Sequence, residues 1–254
     1  MLPINVIKVG GAVVEDHVQL DAFLDRFAAL EGLKVLVHGG GRAATALASK
    51  MGVETVMVEG RRVTDAAMLD IVTMVYGGLV NKNVVAALQA RGVNAFGVTG
   101  ADLGCILSVR RPAGEVDYGF VGDVVSADVS ILSQVLFRGA VPVVAPLTHD
   151  GHGQLLNTNA DTVAATMAKA FSSLFEVTLT YCFEMPGVLR NPEDKDSVIP
   201  VIDEAAFAAL KANGTVSGGM IPKLQNAFDA LHSGVRKVVI TSAANPGGGT
   251  TVTL

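Results

Sequence analysis

Short apolar runs rich in β-branched residues alternate along this chain with segments whose apolar positions recur every three or four residues. The first pattern predicts buried strands and the second amphipathic helices. Strands are predicted at residues 5–9, 34–37, 94–98, 141–145, 177–182 and 237–241, with a short closing strand at 250–254. Helices are predicted at 18–30, where Leu20, Phe23, Leu24, Phe27 and Leu30 share a face, and at 42–51, 131–137, 159–171, 204–212 and 222–233. Residues 54–64 alternate and turn at Glu59-Gly60, the pattern of a β-hairpin. Thr64 is placed to cap a long helix running from 66 to about 89. Residues 106–125 read as short β elements joined at Pro112-Ala113-Gly114 and Gly122-Asp123. Strand and helix alternate from end to end, which predicts an α/β protein with a mainly parallel sheet covered on both faces.

The totals narrow the function classes. The 254 residues suffice for one large α/β domain or two unequal lobes. Half are hydrophobic and 17% charged, so a substantial core is available. A net charge of -5, without a basic cluster interleaved with aromatics, argues against nucleic-acid binding. Cys105 and Cys182 lie in apolar runs without CxxC spacing. They predict buried thiols in a reducing cytoplasm, not a zinc site or a disulfide framework. No basic-then-apolar leader is seen at the N-terminus, and no apolar run approaches the ~18 residues of a membrane span. Residues 190–197 read as a surface loop.

Candidate chemistry gathers where strands end in glycine. Val6-Ile7-Lys8-Val9-Gly10-Gly11 and Val35-Leu36-Val37-His38-Gly39-Gly40-Gly41 each lead into a helix. Bare amides and a helix N-terminus together form an anion-receiving edge. Lys8 interrupts an apolar strand and brings an ammonium to that edge. Asn157-Thr158-Asn159-Ala160-Asp161 precedes a helix and holds more polar side chains than capping needs. In Ser217-Gly218-Gly219-Met220-Ile221-Pro222-Lys223, a lysine opposes the dipole of the helix it begins, which suggests an anion nearby. Arg61-Arg62-Val63-Thr64 offers a carboxylate clamp. His38 reads as a packing and hydrogen-bonding residue, and Asp65, Asp70, Asp102 and Asp123 as capping or solvated. His149 and His152 lack metal-ligand spacing. Gly39-Gly40-Gly41-Arg42-Ala43-Ala44 formally fits the dinucleotide fingerprint, but its acidic partner would be Glu59, inside the hairpin. P-loop and protein-kinase motifs are absent.

Taken in order, these motifs resemble the amino acid kinase family, nearly end to end. The resemblance is strongest to the branch that phosphorylates an N-acylated glutamate. It implies an open three-layer αβα sandwich, with residues 1–175 as a lobe for acyl-glutamate and dimerisation and 176–254 as a lobe for ATP. It implies transfer of a phosphoryl group from ATP, with Mg2+, to the γ-carboxylate of N-acetyl- or N-succinyl-L-glutamate in arginine biosynthesis. Lys8 and Lys223 would neutralise the moving phosphoryl group and Asp161 would hold both lysines. Gly40, Gly41, Arg62, Asn157 and Asn159 would bind the acyl-glutamate. Gly10, Gly11, Glu184, Gly187, Gly218, Gly219 and Met220 would contact the nucleotide, with no dedicated metal ligand in the chain. The segment Tyr181-Cys182-Phe183-Glu184-Met185-Pro186-Gly187 is bulkier than the family pattern and carries Glu184 where Asp is usual. The first strand starts by about residue 4, without the extra N-terminal helix of arginine-inhibited relatives. The expectation is therefore a cytoplasmic homodimer without arginine feedback, with Ile71, Met74, Val75 and Leu79 as candidate dimer face. Sibling kinases of carbamate, aspartate, a nucleotide or an isoprenoid phosphate, and a dinucleotide oxidoreductase, are the competing readings.

Overall fold

A computed structural model describes residues 1–254 apart from Gly219, Pro246 and Gly247 and the side chain of Pro222. The predicted role of Gly219 lies outside the described residues. From the N-terminus, strand β1 (Pro3–Val9) meets the short helix α1 (Gly11–Glu15) and then α2 (His17–Ala29). Asp16 starts α2 by accepting from the amides of Val18 and Gln19. Strand β2 (Leu33–His38) leads through Gly39-Gly40 into α3 (Gly41–Lys50). The hairpin is β3 (Met57–Val58) and β4 (Arg61–Arg62). The long helix follows as α4 (Ala66–Val72), a π-helical stretch Thr73–Val80 and α5 (Asn81–Gln89). After it come β5 (Ala95–Val98), β6 (Ile106–Arg110), β7 (Gly122–Ala127), α6 (Ser130–Phe137), β8 (Val141–Val144), β9 (Leu147–His149), β10 (Leu155–Asn157) and α7 (Ala160–Ser172). The chain closes with β11 (Glu176–Phe183), β12 (Val201–Ile202), α8 (Glu204–Ala212), α9 (Met220–His232), β13 (Lys237–Ser242) and β14 (Thr250–Val252).

Eight strands form one sheet in the order β12-β14-β13-β11-β1-β2-β8-β5, parallel throughout except at β13/β14. The sheet has two cores because side chains alternate across it. Ile4, Val6, Val35 and Val37 face α6, α7, α8 and α9, whereas Ile7, Val9 and Leu36 face α1, α2, α3 and the long helix. These are the three layers of an αβα sandwich. A smaller sheet has the order β10-β9-β6-β7.

Several local expectations change. Asp65, not Thr64, caps α4, accepting from the Met68 amide at 2.8 Å. Gly122 and Asp123 lie inside β7 rather than at a turn. Position 122 is glycine because Thr148 and Thr158 press against it, leaving no room for a Cβ. The short elements α1, β9 and β10 carry too few residues for a period to register. The long helix, Ala66–Gln89, is long and apolar enough to cross a bilayer by length and hydropathy. Asp70 and Lys82 punctuate it, and Met68, Ile71, Val72, Val75, Val84 and Leu88 are built into the protein core.

Candidate active site

Strand parity decides where Lys8 points. It projects in step with Ile4 and Val6, toward α7 and α9. Across the β1/β11 seam Lys8 pairs with Tyr181, which shares that face with Val177 and Leu179, and Phe183 follows two residues on. The start of α7 is fixed by Asn159, whose side-chain oxygen accepts from the amides of Asp161 and Thr162 at 2.8 and 3.2 Å. This cap sets Asp161 in the first turn, with Oδ1 2.7 Å from Lys8 Nζ. The pair is a charge contact rather than an aligned hydrogen bond. Lys223, in the first turn of α9, reaches the same spot from the other end of the chain. Its Nζ lies 3.7 Å from the centre of the Phe183 ring, and Lys8 Nζ lies 4.8 Å from that centre. Burial lowers the Lys223 pKa; Asp161 draws it back up and Lys8 pushes it further down. Lys8, Asp161 and Lys223 therefore form one cluster.

The two glycine loops pack backbone to backbone beside this cluster. The Gly39 amide donates to Val9 O at 3.0 Å, and a Cβ on Gly39 would lie 2.8 Å from the Gly11 nitrogen. His38 pins the second loop. Its Nδ1 donates to Gly39 O at 2.8 Å and its Nε2 accepts from Asn81 Nδ2 at 3.2 Å, a tautomer assigned from these partners. Full burial pushes the imidazole pKa down to about 4, so it stays neutral. This is the packing role expected of His38.

A cavity of about 240 Å³ opens where the glycine loops, the hairpin and the small sheet meet. Gly40, Gly41, Arg62, Asn157 and Asn159, the residues expected to bind acyl-glutamate, line it together with Gly11, expected at the nucleotide. Arg62 is buried, and its guanidinium donates to Gly41 O and Thr45 Oγ1 at 2.8 Å each. All its bonds go to neutral atoms, and none of the ion pairs among the described residues includes it. A buried cation without an acid is poised for an anionic ligand. Asn157 Nδ2 donates to Thr64 Oγ1 at 2.9 Å, and Thr64 in turn donates to Arg62 O, which ties the floor to the hairpin.

Of the other lining residues, Tyr76 and Arg111 escaped the sequence reading. Tyr76, carried by the π-helical stretch, packs its ring under Gly40, where a Cβ would come within 3.0 Å of it. Burial raises its pKa. Arg61 and the Arg111–Asp123 ion pair line the side formed by the hairpin and the small sheet. Asp123 thus partners an arginine in the cavity wall rather than meeting solvent alone. Only the tertiary fold brings β6 and β7 over the hairpin, through bridges from Thr64 to Gly119 and from Asn157 to Val121.

The remaining predicted residues lie outside this cavity. Gly10 joins β1 to α1, its amide donating to Cys182 O. Glu184 is exposed, 3.8 Å from Arg42. Gly187 is a packing glycine, with Val198 and Thr250 where its Cβ would be. Gly218 adopts a positive φ ahead of α9, and Met220 starts that helix and packs on the core. Among the described residues no group of three or more His, Cys, Asp or Glu is arranged to cage a metal. Glu59 sits at the hairpin turn with φ 49°, so the dinucleotide fingerprint lacks its acidic partner.

The model of the amino acid kinase family matches residues 3–242. The chain belongs to that family. An acetylglutamate kinase of Bacteroides thetaiotaomicron is 61% identical over 241 residues, covering 95% of this chain and 94% of that one. An acetylglutamate kinase of Bacteroides fragilis is 59% identical over 251 residues, covering 98% and 96%. Among solved structures, smu.665 from Streptococcus mutans superposes with a TM-score of 0.82 at 27% identity, over 98% of each chain. The amino acid kinase sandwich, read from strand–helix alternation and five motifs, is therefore the observed architecture.

Proposed function

We propose that this enzyme transfers the γ-phosphoryl group of ATP to the γ-carboxylate of N-acetyl-L-glutamate, releasing ADP and an acyl phosphate, as a step of arginine biosynthesis. The observation that carries the reading is a buried arginine without an acid partner, Arg62, in a cavity lined by two glycine loops and by Ala160 and Thr162, the neighbours of Asp161 in the lysine–aspartate–lysine cluster. The near full-length identity to acetylglutamate kinases supports the same substrate.

Arg62 holds the α-carboxylate, with Asn157 and Asn159 beside it. The Gly40 and Gly41 amides receive the reacting end of the substrate, and Gly10 and Gly11 the phosphates. The acceptor is already a carboxylate at neutral pH, so no general base is required. One of its oxygens forms a bond to the γ-phosphorus as the bond to the ADP oxygen breaks. Lys8 and Lys223 offset the charge on the phosphoryl oxygens, and Asp161 holds Lys8 in place. Catalysis is alignment plus electrostatics. Magnesium would be held by the nucleotide's phosphates and would offset their charge. Every residue lining the cavity falls before residue 163, which supports residues 1–175 as the acyl-glutamate lobe. Glu184, Gly187, Gly218 and Met220, with Lys223, give residues 176–254 the nucleotide side.

The test is to incubate the protein with MgATP, hydroxylamine and N-acetyl-L-glutamate and to measure hydroxamate. Hydroxamate formation dependent on both substrates is expected; none would refute the reading. N-succinyl-L-glutamate belongs in the same assay for a specific reason. Arg61, which forms none of the described ion pairs, and Arg111 line the cavity, and a succinyl group brings a third carboxylate.

The enzyme acts in the cytoplasm as a homodimer. Ile71 and Val75 cannot form the dimer face, because both are fully buried in their own core. Met74 and Leu79, about half exposed on the same helix, supply its apolar contacts.

A further inference from the structure

Two like charges meet in the proposed transfer site before any phosphate is present. Asp161 lies against Lys8 at 2.7 Å, whereas Lys223 takes part in no ion pair among the described residues. Lys223 is nonetheless largely withdrawn from water, which disfavours its ammonium form. What faces it is the ring of Phe183, 3.7 Å from Nζ, and the same ring faces Lys8 Nζ at 4.8 Å. An aromatic face carries negative quadrupole density and attracts cations within about 6 Å of its centre. Tyr181 fixes the ring, stacked on it at 6.0 Å with 14° between planes. Strand parity puts all three side chains on the α7/α9 face.

We propose that Phe183 is a positioning residue of the phosphoryl-transfer site, its ring holding the Lys8 and Lys223 ammonium groups together on station until the nucleotide's phosphates take them over. The inference rests on the kinase reading. An aliphatic side chain of similar size would fill the space but present no negative face to either ammonium. Arg62 and the glycine loops are untouched by this contact, so the acyl-glutamate affinity is independent of it.

The test replaces Phe183 with mono-, di- and trifluorophenylalanine, which drain the ring face of negative density at nearly constant volume. Turnover is measured by hydroxamate formation alongside Phe183→Leu and Phe183→Tyr. The expected result is a stepwise fall in kcat with fluorine count, roughly three- to tenfold over the series. KM for acyl-glutamate should stay unchanged, Phe183→Leu should fall at least as far, and Phe183→Tyr should retain turnover. A purely structural ring would give a flat fluorine series with a shared thermal midpoint, and that result overturns the proposal while leaving the kinase reading intact. A wild-type protein that forms no acyl phosphate refutes the kinase reading itself, and the proposal with it.

Discussion

In the proposed reaction, Arg62 and the two lysines divide the work at the scale of single residues. Arg62 would hold the part of the substrate that does not react, so Arg62→Ala should raise KM for acyl-glutamate at least tenfold with a smaller effect on kcat, in steady-state kinetics. On the proposed mechanism, Lys8→Ala and Lys223→Ala would remove charge that matters most in the transition state. Each should lower kcat by roughly 10²–10³ with a near-normal circular dichroism spectrum. His38 makes a pH prediction. Its folded pKa of about 4 lies below the ordinary value near 6.5. The unfolded chain therefore binds the extra proton between those values, and stability falls as pH drops from about 6.5 toward 4. His38→Gln should show a smaller fall in melting temperature across that window. The lysines were legible because a charge inside an apolar strand, or at the wrong end of a helix, breaks a local rule. Phe183 and Tyr76 broke none: an aromatic residue in an apolar run reads as core until its neighbours are known.

Elements place these residues, and glycines set how closely elements approach. The β1 and β2 ends touch through backbone at Gly39 and Gly11. Gly39→Ala would push a Cβ into a main-chain nitrogen that cannot move aside, at about 1–3 kcal/mol or more. Chemical denaturation should show that loss, with turnover reduced even in the folded fraction because the amide loop shifts. Strands of four or more residues other than β7, which was read with a turn at Gly122-Asp123, and helices of eight or more were legible from their periods. The π-helical stretch Thr73–Val80 was not, since its residues suit an α-helix equally well; its i→i+5 bonding appears only in coordinates. The strands β9 and β10, three residues each, were hidden for want of length. Asn157 was therefore read only as part of a motif preceding a helix, although it ends a strand.

At the scale of the whole molecule, one eight-stranded sheet runs through both proposed lobes, which meet at its β1/β11 seam. The motif order along the sequence foretold this architecture, because each glycine loop belongs to a strand and parallel strands deliver their C-terminal ends to one edge. How β6 and β7 roof the cavity could not be read, since long-range bridges such as Thr64 to Gly119 leave no periodic trace. A homodimer built on Met74 and Leu79 predicts twice the chain mass by light scattering, and a shift toward monomer in Met74→Glu/Leu79→Glu with Ile71 and Val75 unchanged. The central claim is that acyl-glutamate and ATP meet between the two lysines. A crystal structure with N-acetyl-L-glutamate and a non-hydrolysable ATP analogue tests it most directly. The account predicts the α-carboxylate on Arg62, the γ-carboxylate at the Gly40-Gly41 amides and the γ-phosphate between Lys8 and Lys223. Ligands bound with Arg62 unengaged and either lysine turned to solvent would contradict it.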